Sequence, residues 1–278
     1  MAKIKITCDS ASDLPKALAE RYRIGVLPLN VRIGSSAQKD QLDTSVRELY
    51  AYSQETGRLP DIAPISQETY RSYFQDLLNQ DFQVLHISVS SKISDCYRNA
   101  CAAAEGLPNV CIIDSQSISA GAAQLALLAS ELASADYLLE DLERSLNHLK
   151  EHLKTSFLLK SSMLLKRKGK RKTWLPAETI FHMHPYFSLK KGWLHFEKPF
   201  RGESAISSYL QKTLENRRDI QTDRIIVTYS GLSQPVLDKV TESLRKLQPF
   251  EQILMIPASS AVTCRCGPGS LGLAYLTI

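Results

Sequence analysis

The sequence lacks several patterns that assign a protein to a class at first sight. It has no run of about 18 apolar residues, which a membrane-spanning helix needs, and its start, Met1–Thr7, carries no long apolar segment of the secretory kind. It also lacks a P-loop, a G-x-G-x-x-G stretch and a G-x-S-x-G motif. We therefore expect a cytoplasmic protein, and the absent motifs argue against a P-loop NTPase, a Rossmann-type dinucleotide enzyme and an α/β-hydrolase.

Cysteine and histidine form no convincing metal site. The six cysteines stand at positions 8, 96, 101, 111, 264 and 266, and their spacing matches no disulfide framework. Cys264 and Cys266 lack partner ligands, so we predict a strand with alternating thiols there. The segment His148–His152 fits H-x-x-E-H, but it lies in a lysine-rich helical pattern without a downstream acidic ligand. His184 and His195 could approach His182 across a strand pair, yet nothing else supports a metal, and we expect none.

Positive charge is in modest excess and partly local. Lys and Arg number 34 against 29 Asp and Glu, and Lys166–Lys172 places six cations in seven residues. Such a run could contact nucleic acid or an anionic surface, or form a solvated loop. Because no DNA-reading motif accompanies the run and aromatic residues are sparse around it, we expect no nucleic-acid partner.

The order of the predicted elements indicates an α/β protein with two domains. Up to about residue 153, apolar strands alternate with helices, a pattern typical of a parallel sheet covered on both faces. Beyond residue 154, short strands mix with two helices, and Lys190–Gly192 resembles a hairpin turn. We predict an N-terminal α/β/α domain at residues 1–154 and a C-terminal α/β domain with mainly antiparallel strands at residues 155–278.

A serine-rich loop is the most informative local feature. The apolar strand Val84–Ile87 is followed by Ser90, Ser91 and Ser94, and a helix can begin at Asp95 with Ser94 as its N-cap. The N–H groups and dipole of a helix N-terminus favour a carboxylate or a phosphate. The alternative is that the serines only cap and turn the chain.

A second serine occupies an equivalent position. Ser66 is placed to cap a helix over Gln67–Asn79, whose aromatic residues share one face. Ligands of parallel sheets bind beyond the carboxyl ends of the strands. We therefore expect the loops at Asp9–Ser10, Ser90–Ser94 and Asp114–Ser119 to converge with Ser66 on one rim.

Five short motifs, in order along the whole chain, carry a family resemblance. They are Cys8–Pro15, Ile65–Gln67, Ser90–Tyr97, Ile113–Ser115 with Ser119–Gly121, and Gly267–Gly272. Each motif is weak alone, but together they resemble the DegV family of bacterial two-domain proteins, whose characterised members bind long-chain fatty acids. The resemblance implies a DegV-like fold in which the second domain completes a lipid pocket.

The resemblance also implies a head-group site. By motif position, the family's carboxylate-binding hydroxyls correspond to Ile65 or its neighbour Ser66 and to Ser94, and a nearby histidine corresponds to Arg265. Ile65 offers no hydroxyl, and Asp95 puts a negative charge beside the site. Arg265 could bind a carboxylate through two bonds or could neutralise Asp95.

Three further residues complete the expected ligand-binding set. Ser91 belongs to the serine-rich loop, and Ser119 either caps the following helix or lines the pocket, the cap being favoured. Gly267 begins a Gly-Pro-Gly loop that allows the backbone to approach a ligand or forms a simple turn.

The implied function is that of a carrier and not of an enzyme. A palmitate- or oleate-like fatty acid would lie between the domains, without any cofactor, and a separate kinase would phosphorylate its carboxylate. The basic run would contact an acidic partner or, transiently, a membrane surface. The alternative is an enzyme or binding protein for a different anionic metabolite, with Asp9, Asp95 or Asp114 as acid–base groups.

Overall fold

The computed structural model describes residues 3–41, 46–56, 60–135, 137–159 and 183–278. The strands are β1 (Lys3–Asp9), β2 (Gly25–Leu27), β3 (Asn30–Ile33), β4 (Ser36–Lys39), β5 (Asp61–Ala63), β6 (Phe82–Ser88), β7 (Val110–Asp114), β8 (Leu153–Leu158), β9 (Met183–Lys190), β10 (Trp193–Arg201), β11 (Arg224–Ser230), β12 (Gln252–Pro257) and β13 (Ser270–Leu276). The helices are α1 (Lys16–Arg21), α2 (Val46–Thr56), α3 (Gln67–Leu78), α4 (Cys96–Ala104), α5 (Ala120–Ala133), α6 (Leu139–His152), α7 (Ala205–Leu214), α8 (Gln234–Leu247) and α9 (Ser260–Cys266).

The N-terminal half contains the expected parallel sheet. Its strand order is β2-β1-β6-β7, and all three pairings are parallel. Helices α3 and α4 contact it and contribute Tyr70, Phe74 and Ala100 to one apolar cluster, whereas α5 and α6 contribute Leu125 and Leu142 to another. Both faces of the sheet are covered, which explains why the last four residues of β1 and the last five of β6 are all buried.

The second half is built on a six-stranded sheet of order β10-β9-β8-β13-β11-β12. Only the β11–β12 pair is parallel; the other four pairings are antiparallel, as the sequence predicted. The first strand of this sheet, β8, begins at Leu153. A domain division at residue 154 agrees with that position but stays a prediction.

Helix α5 connects the two sheets. It contacts β1 of the first sheet and β11 and β13 of the second. Its sequence is rich in alanine and leucine on every side, and ten of its fourteen residues are buried. A helix that is apolar all round belongs in the interior, and the small alanine side chains let both sheets approach it. The two halves therefore share a core.

The segment Gly25–Ile33 divides at Pro28 between the parallel sheet, which contains β2, and a small sheet of order β4-β3-β5. Two local predictions need correction. Cys264 and Cys266 lie in helix α9 and not in a strand, because Ser259 caps that helix by accepting from Val262 N. Helix α4 begins one residue later than expected, with Asp95 at the N-cap position and in helical conformation.

Other local predictions are confirmed. Ser66 caps α3 by accepting from Thr69 N at 3.2 Å. The β9–β10 turn places Lys191 and Gly192 at φ of 49° and 84°, the positive values that a two-residue hairpin requires. Among the described residues, no helix combines the length and the apolar content needed to cross a bilayer. The basic run Lys166–Lys172 and His182 lie outside the described residues.

Candidate functional site

An apolar cavity of about 340 Å³ lies where the two halves meet. The two residues that precede α5 form one side, and the rest comes from β8 with the residue after it, from β9, from β10 and from α9. Its lining residues are Ile118, Ser119, Phe157, Leu159, Phe187, Leu194, Phe196, Val262, Arg265 and Cys266. Of these described lining residues, Ser119 and Arg265 alone carry oxygen or nitrogen atoms in their side chains. The cavity therefore suits a ligand that is mostly hydrocarbon and carries a polar group at one point.

Strand alternation explains the apolar wall. Phe157 of β8 is paired with Phe187 of β9, so both side chains leave the sheet on the same face. The Phe196 ring on β10 stands edge-on to the Phe187 ring at 5.6 Å between centroids. Leu194 and Phe196 are each 41% exposed. These two residues therefore form the rim of the cavity.

Ser119 lines this cavity, but its hydroxyl is already engaged. The residue is fully buried and has φ of 57°, and its side chain makes no cap bond to α5, contrary to the favoured expectation. Its Oγ donates to the Asp13 carboxylate and lies 2.9 Å from Thr228 Oγ1. Ser119 thus connects the cavity wall to a buried carboxylate of the N-terminal half.

Two buried carboxylates hold the N-terminus of α9, the helix that carries Arg265. Asp13 Oδ1 accepts from Ser259 N at 2.7 Å, and Asp40 Oδ1 accepts from Ala261 N at 2.9 Å. Burial raises the pKa of both carboxyls, that of Asp13 to about 7, although the hydrogen bonds that they accept oppose the rise. The position of α9 therefore depends on residues far away in the N-terminal sequence.

The serine-rich loop lies against the tip of the β9–β10 hairpin. Ser90 Oγ donates to Gly192 O at 2.9 Å. A Cβ added at Gly192 would lie 2.6 Å from Ser90 Oγ, so the close approach requires glycine at this position. Ser90 N donates to Ser117 O, and Ser91 N donates to Asp114 Oδ1 at 3.1 Å. The loops after β6 and β7 therefore do converge, as the topology predicted. Asp114 orders these loops through backbone N–H groups.

Asp9 stabilises the start of the same loop from inside the sheet. Its Oδ2 accepts from Ser88 Oγ and from Val89 N, both at 2.8 Å, and its Oδ1 accepts from Tyr70 OH and lies 3.2 Å from His86 Nε2. Burial alone would raise the pKa of Asp9, but His86 and the other donors together hold it below its usual value. Asp9 is only 1% exposed. An acid–base role for Asp9 is disfavoured because no substrate can reach it.

Three of the residues expected around the head group, Ser94, Ser66 and Ile65, do not line the cavity. Ser94 Oγ accepts from Cys96 N and donates weakly to Cys96 Sγ, and Ile65 O accepts from Asn99 Nδ2 at 2.8 Å. Ile65 and Cys96 belong to the same apolar cluster as the cavity residues Phe187 and Val262. Ser94, Ser66 and Ile65 therefore gather at the N-termini of α3 and α4, and of the three only Ile65 belongs to that cluster.

Among the described residues that line the cavity, Arg265 is the only charged one. The alternative that it neutralises Asp95 is not observed, because Asp95 pairs with Arg98 at 3.1 Å. Gly267, which ends α9 at φ of 71°, is buried but does not line the cavity. Its N–H donates to Thr263 O, so Gly267 terminates α9 and turns the chain, as one of the two alternatives expected. Arg265 is thus the cation available to an anionic group at the cavity.

Sequence reasoning missed most of the apolar lining. Phe157, Phe187, Leu194 and Phe196 lay in predicted strands, but nothing in a single sequence told which face of each strand would border a cavity. Their two-residue alternation is the signal that narrows the choice to two faces. The described residues contain no group of three or more His, Cys, Asp or Glu side chains that could hold a metal ion.

Comparison with known proteins agrees with this geometry. A DegV domain-containing protein of Clostridium perfringens is 30% identical over 172 residues, which are 61% of this chain and 62% of that protein. The match to that relative thus spans less than two thirds of its length.

Solved structures match over the whole chain. A DegV family protein from Thermus thermophilus, described for its fatty acid binding, has a TM-score of 0.86 and 26% identity, over 99% of this chain and 100% of that one. The Fatty Acid Kinase B3 protein of Streptococcus pneumoniae, loaded with linoleic acid, has a TM-score of 0.84 and 17% identity, over 99% and 100%. A family model described as an uncharacterised protein, DegV family, matches residues 3–277. The chain belongs to the DegV family.

Proposed function

We propose that this protein binds a long-chain fatty acid, palmitate- or oleate-like, with its acyl chain in the apolar cavity. The observation that carries the proposal is a cavity of about 340 Å³ whose lining, as far as the chain is described, places one cation, Arg265, and one hydroxyl residue, Ser119, among apolar side chains and a cysteine. Each methylene removed from water contributes about 0.8 kcal/mol, so the acyl chain supplies most of the affinity. The fatty-acid-bound relatives support the same ligand class.

The carboxylate requires donors at one end of the chain. Arg265 supplies a charge-assisted pair of N–H groups, and Ser94 and Ser66 supply hydroxyls. Ser94 Oγ donates only to a thiol, which is a weak acceptor, so its hydrogen can turn to a carboxylate. Ile65 places its apolar side chain where the family has a hydroxyl. Ser91, Ser119 and Gly267 shape the surrounding backbone.

The protein acts as a binding subunit in this proposal and performs no chemistry itself. A separate kinase would phosphorylate the bound carboxylate, an inference that rests on the family and on the kinase component among its structural relatives. The cytoplasmic location stays a prediction. The membrane or acidic-partner contact of Lys166–Lys172 stays a prediction too, because the run lies outside the described residues.

Mass spectrometry of organic extracts from the purified protein tests the proposal. We expect about one long-chain acid per wild-type chain, and much less in Arg265→Gln and in Ser94→Ala. Arg245→Gln on α8 and Ser207→Ala on α7 are the matched controls, because both residues are exposed and outside the cavity. They should retain the lipid.

Two results would contradict the proposal. Wild-type protein that is empty and takes up neither palmitate nor oleate would contradict the fatty-acid ligand, and a screen of other anionic metabolites would follow. Full occupancy in both site variants would leave the ligand in place but remove Arg265 and Ser94 from the head-group site.

A further inference from the structure

The opposite face of the β8–β9 pair borders a second and larger cavity, of about 890 Å³. The cross-strand pair Ser156–Ser188 and the neighbouring Tyr186 line it, whereas the adjacent pair Phe157–Phe187 lines the apolar cavity. The walls come from the end of α6, the loop after β7 and the end of α7 with the turn after it. We call this cavity the cationic cleft, for the reason that follows.

Among the residues that the structure describes, seven lysine or arginine side chains line the cationic cleft, against two glutamates. The surplus of five positive charges equals the net charge of the entire chain, +5. The rest of the protein therefore carries no net charge. A second cleft, of about 680 Å³, is lined among the described residues by Glu105, Glu140 and Glu143 and by no cation. The positive surplus thus distinguishes the cationic cleft from this one.

Several of these cations have no anionic partner. Lys190 pairs with Glu197 at 2.6 Å, and Arg217 pairs with Asp219, a residue outside the lining. Within the part of the chain that the structure describes, the other lysines of the cleft make no ion pair; they are Lys150, Lys154, Lys191, Lys198 and Lys212. Like charges brought together in one recess repel each other, and an anion in the recess would relieve that repulsion.

The inner surface of the cleft adds hydroxyl groups. Ser117 Oγ and Thr155 Oγ1 lie 3.1 Å apart, and both residues are buried. Such a pair has two hydroxyl hydrogens and uses one of them between its own oxygens, so the second hydrogen can be donated to an acceptor. Cations at the rim and hydroxyl donors further inside are the combination that phosphate oxygens accept from.

We propose that the cationic cleft binds a phosphorylated small molecule with two or more negative charges. The recess has the volume of a small-molecule site, and its hydroxyls lie behind the lysines, where a flat acidic protein surface would not reach. This ligand is distinct from the fatty acid, which would occupy the other face of the same two strands. The site does not depend on the proposed lipid function.

Isothermal titration calorimetry with sodium pyrophosphate tests the proposal on the whole protein, with and without its lipid. Wild type should bind one pyrophosphate, and Lys154→Gln combined with Lys212→Gln should weaken the affinity about tenfold or more through loss of two charge-assisted contacts. The control is Lys239→Gln combined with Arg245→Gln on α8, which removes the same charge from exposed positions outside the cleft. The control should bind as wild type does.

Three outcomes would overturn the proposal. They are an absence of saturable pyrophosphate binding to wild type, an equal loss in both double variants, and one-to-one binding of a poly-glutamate peptide where pyrophosphate does not bind. The second would indicate a general charge effect, and the third would indicate a protein-docking surface. Circular dichroism of each variant checks that it is folded before the titrations are compared.

Discussion

Two buried carboxylates, four residues apart in sequence, occupy opposite electrostatic surroundings. Asp9 and Asp13 are each about 1% exposed, yet the pKa of Asp9 is held low and that of Asp13 is raised to about 7. Asp9 has His86 beside it and three further donors, whereas Asp13 accepts from Ser119 and Ser259 and has the carboxyl of Asp40 nearby. Burial is common to both, so the donors and the charge of the neighbours decide the protonation state.

The difference follows from where each carboxylate lies. Asp9 ends β1 inside the parallel sheet, and its partners all come from the N-terminal half. Asp13 lies where that half meets α9, and one of its donors, Ser259 N, comes from the second half. One carboxylate therefore stabilises the N-terminal half from within, and the other connects two parts of the chain that are distant in sequence.

The largest expected effect comes from removing Asp9. Asp9→Ala leaves His86, Tyr70 and Val89 N without their buried partner, and the free energy of unfolding should fall by about 3–5 kcal/mol. Urea denaturation at neutral pH measures it. The control Asp76→Ala, on the exposed face of α3, should change stability by less than about 0.5 kcal/mol. Equal losses of unfolding free energy in the two variants would show that the buried hydrogen bonds of Asp9 do not stabilise the fold.

The pH dependence distinguishes Asp13 from Asp9. Since the folded pKa of Asp13 lies above the usual 3.8, its contribution to stability is fully present below about pH 4 and is lost as the pH rises to about 7. In Asp13→Asn the amide can donate to Ser119 Oγ and accept from Ser259 N. The loss of stability between pH 4 and pH 7 should therefore be smaller in this variant than in the wild type. Thermal unfolding of both proteins across pH 4–8 measures this, and parallel curves would argue against the raised pKa.

Two single hydroxyl deletions give an intermediate effect. Tyr70→Phe removes a hydrogen bond to an ionised carboxylate and should cost about 1.5–3 kcal/mol at pH 5. Ser119→Ala removes one to a carboxyl that is neutral at that pH and should cost about 0.5–1.5 kcal/mol. Urea denaturation at pH 5 measures the two losses of unfolding free energy. A larger loss in Ser119→Ala than in Tyr70→Phe would mean that the charge states of Asp9 and Asp13 are assigned wrongly.

The smallest effect belongs to an exposed carboxylate. Asp95 pairs with Arg98 on the surface of α4, with both side chains mostly exposed. Asp95→Asn should therefore change stability by less than about 1 kcal/mol, and the difference should shrink in high salt. Chemical denaturation at two salt concentrations measures it. A loss as large as that of Asp9→Ala would mean that burial does not separate the two kinds of carboxylate.

Local patterns predicted much of the fold, and long-range contacts explain the misses. The apolar run before Ser90, the cap at Ser66 and the Lys191–Gly192 turn are encoded within a few residues, and all three are found. Helix α9 was missed because its start depends on Asp13 and Asp40 as well as on the nearby Ser259. The hydroxyl of Ser119 turns from its own helix to Asp13 for the same reason.

The candidate site shows the same division. Arg265 and Ser119 were expected at a ligand and line the cavity, whereas the phenylalanine wall depended on which face of β8 and β9 closes against α9. The two-residue periodicity of a strand divides its side chains between two faces. Which of the two faces borders the cavity is decided only by how the assembled sheet packs.

The hydrogen bonds from α9 to Asp13 and Asp40 also determine how late in synthesis these two carboxylates can reach their final contacts. The donors lie 246 and 221 residues after their acceptors. A ribosome adding about 5–20 residues per second needs about 10–50 s to cover that distance. Throughout that interval the nascent N-terminal half holds two carboxylates that cannot yet be buried with their partners. The N-terminal half can complete its packing only after nearly the whole chain has emerged. Until then it is incompletely packed and is a substrate for chaperones.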